Sequence, residues 1–197
     1  MIVFVTAMLL LNITPGPDML YVIARSAGQG RAAGIASALG VGAGCFFHIF
    51  AVAFGVAELL RTVPLAYEAI RYAGAAYLIY LGGRILLSRG GPEGTQTIRP
   101  AGLDRIFLQG MVTNILNPKV ALFFLAFLPQ FIDPHGSPFR QTVSLGLLVD
   151  LSGTCVNIVV ALAASKAGAF IPARMRYVTG GVFIALGLRL AVPSASA

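Results

Sequence analysis

The sequence predicts an all-α membrane protein: six transmembrane helices in two inverted three-helix repeats, with helices 1 and 4 broken at proline motifs. Three observations carry this expectation. Of 197 residues, 57% are hydrophobic and only 11% are charged, a balance outside that of ordinary soluble domains. The charges cluster, and the apolar stretches between them are long enough to span a bilayer, which takes roughly 20 residues. Finally, Thr14-Pro15-Gly16-Pro17-Asp18 and Asn117-Pro118-Lys119 interrupt two apolar runs at matching places, and each leaves a charge at depth. A charge in hydrocarbon is costly. Paired interrupted helices in the two halves of a membrane protein point to a transporter's binding site.

The expected spans are about Ile2–Ala24, Gly34–Leu60, Leu65–Leu87, Arg105–Ile132, Gln141–Ser165 and Ala173–Val192. The first continues through its Pro-Gly-Pro break and lacks a basic leading segment, so it reads as a span and not as a cleaved signal. Gly, Pro and polar residues dominate 88–102, which reads as a flexible cytoplasmic linker. The chain is thus expected to be one transporter domain over 1–197, with repeat 1 at about 1–88, the linker at about 89–103 and repeat 2 at about 104–192. Sliding the chain along itself lays Pro17-Asp18 on Pro118-Lys119, a faint repeat that falls on the costly residues.

The net charge of +7 does not form a basic stripe; the Arg and Lys residues sit singly at helix ends. Attraction to anionic lipid head groups accounts for them, and no nucleic-acid partner is expected. Nine basic residues fall on the side of the first, third and fifth connections, among them Arg25, Arg31, Arg84 and Lys166, against four on the other. The positive-inside rule then puts both termini in the periplasm. Cys45 and Cys155 lie inside apolar spans with no metal-ligand spacing, so neither a metal nor a cofactor is expected.

The breaks have their own chemistry. Thr14 before Pro15, and Asn117 before Pro118, each read as an N-cap followed by proline at the first helical position. A helix restarting at mid-membrane presents unpaired N–H groups and a positive dipole end, which favour an anion. Asp18 in a first turn agrees with that dipole. Lys119 in a first turn opposes it and needs an anionic partner, for which Asp18 or a substrate carboxylate are the candidates. The two helix starts with Lys119 would hold a carboxylate, and Asp18 an ammonium: together a receptor for a zwitterion. The plainer alternative is an ion pair locking the two broken helices.

These residues have a familiar look. The pieces that carry it are Thr14-Pro-Gly-Pro-Asp18, Gly40-Val-Gly-Ala-Gly44, Gly74-Ala-Ala-Tyr-Leu78 with Leu81-Gly82, and Asn114-Ile-Leu-Asn-Pro-Lys119 running into Leu128-Pro-Gln-Phe131, set in the first four spans. In them the sequence resembles the LysE/RhtB family of bacterial amino-acid exporters. The resemblance implies export of amino acids or their derivatives across the inner membrane, driven by the proton gradient or membrane potential. A homodimer is a further expectation.

Other polar residues at depth are candidates with modest alternatives. Asp150, about ten residues or roughly 15 Å into the fifth span, reads as a proton carrier, or as a structural acid paired with Lys119 or capped by the hydroxyl of Ser152 or Thr154. His48 reads as a second proton-coupling candidate or a hydrogen-bonded core residue. Asn114 and Asn157 read as cavity lining or cross-helix bonds. Gly40 and Gly44 form a small-xxx-small pair that allows close helix packing or clears space for substrate. Tyr77 and Phe123 could line the path or pack. A divalent-cation exporter would want more clustered oxygen or thiolate ligands. A non-transporting scaffold would have no reason to keep three charges at depth. An enzyme is not expected, since no nucleophile and base stand together in any known motif.

Overall fold

The computed structural model describes residues 1–62, 68–69, 72–73, 75–76, 79–80, 83, 86–87, 100–133, 135–167, 177, 181, 184–185, 188 and 191. The described residues are mostly helical, with no strand among them. Most of the expected third and sixth spans, the linker at 89–99 and Tyr77 lie outside them.

The first span is two helices, α1 (Ile2–Ile13) and α2 (Pro17–Gln29), bent by 41° at the break. A single long helix, α3 (Arg31–Thr62), follows after Gly30, whose φ of 84° ends α2 in a conformation that favours glycine. The fourth span is α4 (Leu103–Ile115) and α5 (Pro118–Leu122), continued by a π-helical turn at Phe123–Phe127 and a 3₁₀ turn at Leu128–Phe131. Its bend is 45°, close to that of the first span. The last fully described helix is α6 (Pro138–Ala167). By length and composition, α3 and α6 can each cross a membrane, and each bent pair can do so as one broken span.

The two breaks differ in detail, and one expectation is corrected. Asn117 caps α5 as the spacing predicts: its Oδ1 accepts from Lys119 N at 3.0 Å, with Pro118 at the first helical position. In the first break the helix does not restart after Thr14. Thr14 closes α1, its backbone N–H and its hydroxyl both donating to Leu10 O. Gly16 is the cap residue of α2 and Pro17 its first residue. Both prolines suit a first helical position, but Gly16 is fully extended (φ −139°, ψ −176°), so the new helix starts only at the second.

Inside a bilayer, helices gain little from leaving lipid, and close packing holds them together. Gly40 and Gly44 face the backbone of α4. A methyl group at Gly44 would lie 2.5 Å from Met111 O and 2.8 Å from Asn114 Cβ, and one at Gly40 would collide with Phe107 O. Gly110 answers from α4, with Ser37 O 2.6 Å from where its methyl would be. Gly42, on the other side of α3, makes room for Thr154 and Asp150 of α6. So α3 lies between α4 and α6 with bare backbone toward both. At one end of the bundle, Phe4, Met8 and Leu11 of α1 pack on Phe123, Phe124 and Phe127 of the π turn. Phe4 also meets Phe131 edge-on at 5.2 Å.

Candidate functional site

The second residue of each restarted helix reaches across to the last turn of the other broken span. Lys119 extends from α5 over Gly16, where an added methyl would stand 3.1 Å from Nζ. Its Nζ donates to Leu11 O at 3.0 Å and Thr14 O at 2.9 Å. Reciprocally, Asp18 reaches from α2 to α4, its Oδ2 accepting from Asn114 Nδ2 at 2.9 Å. Both side chains are buried, Lys119 to 6% and Asp18 to 7% exposure.

The partner of Lys119 differs from the sequence expectation. The bonds it makes go to carbonyl oxygens at the C-terminal end of α1, not to the Asp18 carboxylate. That end carries the negative pole of the helix dipole and carbonyls with no intrahelical partner. A break in an apolar helix therefore supplies hydrogen-bond partners for a cation, while the Asp18 carboxylate acts on Lys119 through space and not by a direct bond.

The remaining polar atoms around Asp18 are oriented by the same network. Asn114 uses Nδ2 on Asp18, so its Oδ1 is fixed as an acceptor; Asn117 uses Oδ1 as the cap, so its Nδ2 is fixed as a donor. Asn114 Oδ1, Asn117 Nδ2 and Asp18 Oδ1 are all buried without a hydrogen-bond partner. Buried polar atoms are nearly always paired; the Asn117 amide stands beside the Asp18 carboxylate, so two of these atoms lie near one another at the breaks without an ideal bond.

A cavity of about 50 Å³ opens at this junction, room for a few water molecules. Leu11 and Asn12 of α1, Asp18 and Met19 of α2, and Val41 and Cys45 of α3 line one part. Asn114, Lys119 and Val120 line another, and α6 contributes Val149, Asp150, Gly153, Thr154 and Asn157. Five of the residues singled out from sequence at widely separated positions, Asp18, Asn114, Lys119, Asp150 and Asn157, thus share one cavity. Thr14, Pro15, Gly16, Pro17, Asn117 and Pro118 do not line it; they build the breaks that aim Asp18 and Lys119. Gly40 and Gly44 are not lining either: both are spent on the contact with α4.

Asp150 is 8% exposed and accepts from Thr154 Oγ1 at 3.4 Å. Asn12 donates both N–H groups to α6, to Val149 O at 3.3 Å and Ser152 Oγ at 2.9 Å. His48 is buried outside the lining, its Nε2 3.0 Å from Asn114 O and its ring stacked on Phe124. It holds the last turn of α4 in place. Phe123 belongs to the apolar cluster.

One polar cluster escaped the sequence reading. Arg25 counts there as an interfacial charge, yet it is buried to 6% exposure. It donates to Gln29 Oε1 and Gln109 Oε1, both at 2.6 Å, and to the Tyr21 hydroxyl at 3.3 Å. Tyr21 in turn donates to Ile106 O at 2.9 Å, and Gln29 to Ala101 O at 3.1 Å. Tyr21, Arg25 and Gln29 stand four residues apart on one face of α2, a pattern that was available in the sequence. The cluster fastens α2 to α4.

Known proteins resemble this chain in sequence. The family model described as LysE type translocator matches residues 9–194. The leucine efflux proteins of Salmonella typhimurium (strain LT2) and Salmonella typhi are 40% identical over 129 residues, which cover 62% of this chain and 60% of theirs. The match thus spans about three-fifths of the length of those relatives. An uncharacterised membrane protein of Pseudomonas aeruginosa is 30% identical over 207 residues, covering 98% of this chain and 95% of that protein. No solved structure matches the chain. With its two broken spans, the charges set in them and a family match over nearly its whole length, the chain belongs to the LysE type translocator family, a family of membrane transport proteins.

Proposed function

We propose that this protein is a secondary transporter that exports an amino acid or amino-acid derivative across the bacterial inner membrane, with both termini in the periplasm and the proton gradient as driver. The observation that carries the reading is the one cavity shared by Asp18, Lys119 and Asp150 at the meeting of two helix breaks. An ammonium nitrogen has three N–H groups, and Lys119 uses two of them on α1, so one is left for a substrate carboxylate. The orphaned Asp18 Oδ1 is left for a substrate ammonium. Spaced across a small cavity, the two ends suit a zwitterion.

Asp150 supports proton coupling because it is a buried acid facing the same space, with no cation bonded to it among the described residues and only the Thr154 hydroxyl and the Cys45 thiol beside it. A proton on Asp150 would change the charge of the cavity by one unit at each turnover. The cavity is smaller than an amino acid with an aliphatic side chain, so loading requires the helices at the breaks to part. Leucine, which two of the relatives are named for exporting, is the first to test.

The decisive experiment loads proteoliposomes with a panel of radiolabelled amino acids and records which leave under an imposed pH difference. Efflux of at least one, above protein-free vesicles, is expected. Retention of the whole panel by an inserted, folded protein would reject the proposal.

A further inference from the structure

We propose that Tyr21, Arg25, Gln29 and Gln109 form the inner gate of this transporter, and that the aromatic cluster on α1 and the π turn forms the outer one. The inference rests on the export reading above and goes on to name the residues that separate the cavity from each side. Each broken span sends one half to either side of the cavity. On one side α2 runs beside α4, and on the other α1 meets the π turn. The two seams are closed by different chemistry.

The seam between α2 and α4 is a ladder of hydrogen bonds. It starts in the cavity wall, where Asp18 accepts from Asn114. One turn on, the Tyr21 hydroxyl donates to Ile106 O at 2.9 Å and lies 3.2 Å from Gln109 Oε1. Arg25 follows, donating to Gln109 Oε1 at 2.6 Å with its guanidinium over the Tyr21 ring. Gln29 takes a second bond from Arg25 and ends the ladder on Ala101 O at 3.1 Å. From Asp18 to Gln29 the ladder runs about 16 Å away from the cavity. Its bonds are directional, so a slide of α2 along α4 breaks them as a set. Water entering from the aqueous side can replace each bond, which leaves a small net cost of opening. The opposite seam is apolar. It too starts in the cavity wall, at Leu11 and Val120, and continues through Phe4 and Met8 against Phe123 and Phe127. Phe127 stacks between Phe123 at 5.1 Å and Phe131 at 5.2 Å. Wetting this seam exposes rings that water does not replace as partners. A ladder that water can unzip on one side and an aromatic plug on the other are two barriers able to open separately.

The native thiol of Cys45 reports on both gates, since it lines the cavity and is buried. The exposed Cys155 is replaced by serine. The full-length protein is then labelled with the membrane-impermeant cation trimethylammonioethyl methanethiosulfonate, in inside-out vesicles for the cytoplasmic side and in spheroplasts for the periplasmic side. Arg25→Gln is expected to raise the labelling rate from the cytoplasmic side about three- to tenfold, the shift that one lost hydrogen bond gives an opening equilibrium. No rise is expected from the periplasmic side. Tyr21→Phe loses one hydroxyl and keeps the ring; it should act in the same direction, and it answers if Arg25→Gln fails to insert. Gln109→Glu sets a carboxylate against Arg25 and strengthens that rung. It should slow cytoplasmic labelling and efflux together, and slower labelling is something loss of stability cannot give. Phe127→Leu loosens the stack on Phe123 and Phe131 and should raise labelling from the periplasmic side alone. Unchanged labelling in these variants, or an equal rise from both sides, overturns the inference. Side-specific labelling without efflux of any amino acid from proteoliposomes would uphold the gates and reject the exporter reading. The same pattern with the two sides exchanged would uphold the gates and reject the periplasmic placing of the termini.

Discussion

Replacing Lys119 with methionine keeps an unbranched stem of similar length and deletes the charge. Two hydrogen bonds vanish, to Leu11 O and Thr14 O at 3.0 and 2.9 Å. Bonds to a charged group contribute about 1.5–3 kcal/mol each, and the negative end of α1 adds about 0.3–2 kcal/mol, so the loss is about 3–8 kcal/mol. Opposing it is the desolvation of an ammonium held at 6% exposure, a cost of several kcal/mol that the variant no longer bears. The terms are of similar size and opposite sign. The variant is therefore expected to insert and fold, with stability within about 2 kcal/mol of the parent, a displacement of roughly 4–8 °C in unfolding midpoint. Efflux from proteoliposomes is expected to fall to the level of protein-free vesicles. Wild-type efflux from Lys119→Met would remove this lysine from the site. A variant that does not fold would show that the two energy terms are unequal and that the lysine is chiefly a strut. Lys119→Arg is expected to lose efflux too, because Gly16 lies so close beneath Nζ that a guanidinium has no room.

Asp150→Asn should leave an inserted protein whose efflux no longer responds to an imposed pH difference; an unchanged pH response would end the proton role of this acid. Asn117→Ala removes the cap on Lys119 N and should cost about 1 kcal/mol in thermal unfolding. At Gly44 a leucine must displace the α4 backbone, so Gly44→Leu should destabilise by at least about 1–3 kcal/mol. Gly28→Ala, with nothing within 4 Å, should gain about 0.5–1 kcal/mol in the same assay; equal effects at the two glycines would refute the packing assignment.

Much of this arrangement could be read from the chain because the cost of the residues made it visible. Pro15, Pro17 and Pro118 cannot sit unnoticed in apolar helices, and Asp18, Lys119 and Asp150 cannot sit in hydrocarbon without a purpose. Where two prolines competed to start α2, sequence favoured the one behind a threonine, and the extended Gly16 decided for the other. The carbonyls that Lys119 bonds to were not legible, because main-chain oxygens carry no letter in a sequence. Arg25 was misread because an arginine at a helix end looks the same whether it meets head groups or a buried glutamine. The glycines at 40, 42 and 44 announced close contact, but only the placement of α4 and α6 divided them between two neighbours. The π turn at Phe123–Phe127 had no sequence signal beyond a run of aromatic residues.

The crossing of Lys119 and Asp18 has a mechanical consequence. Each pivot of the molecule is pinned by a side chain rooted in the other, so tilting α1 against α2 pulls on α5, and tilting α4 against α5 pulls on α2. Two hinges linked in this way share a single degree of freedom. A load that unpins one, such as a cation taking Asp18 from Asn114, slackens both at once, and a protein so geared would pass between its two faces in one concerted swing.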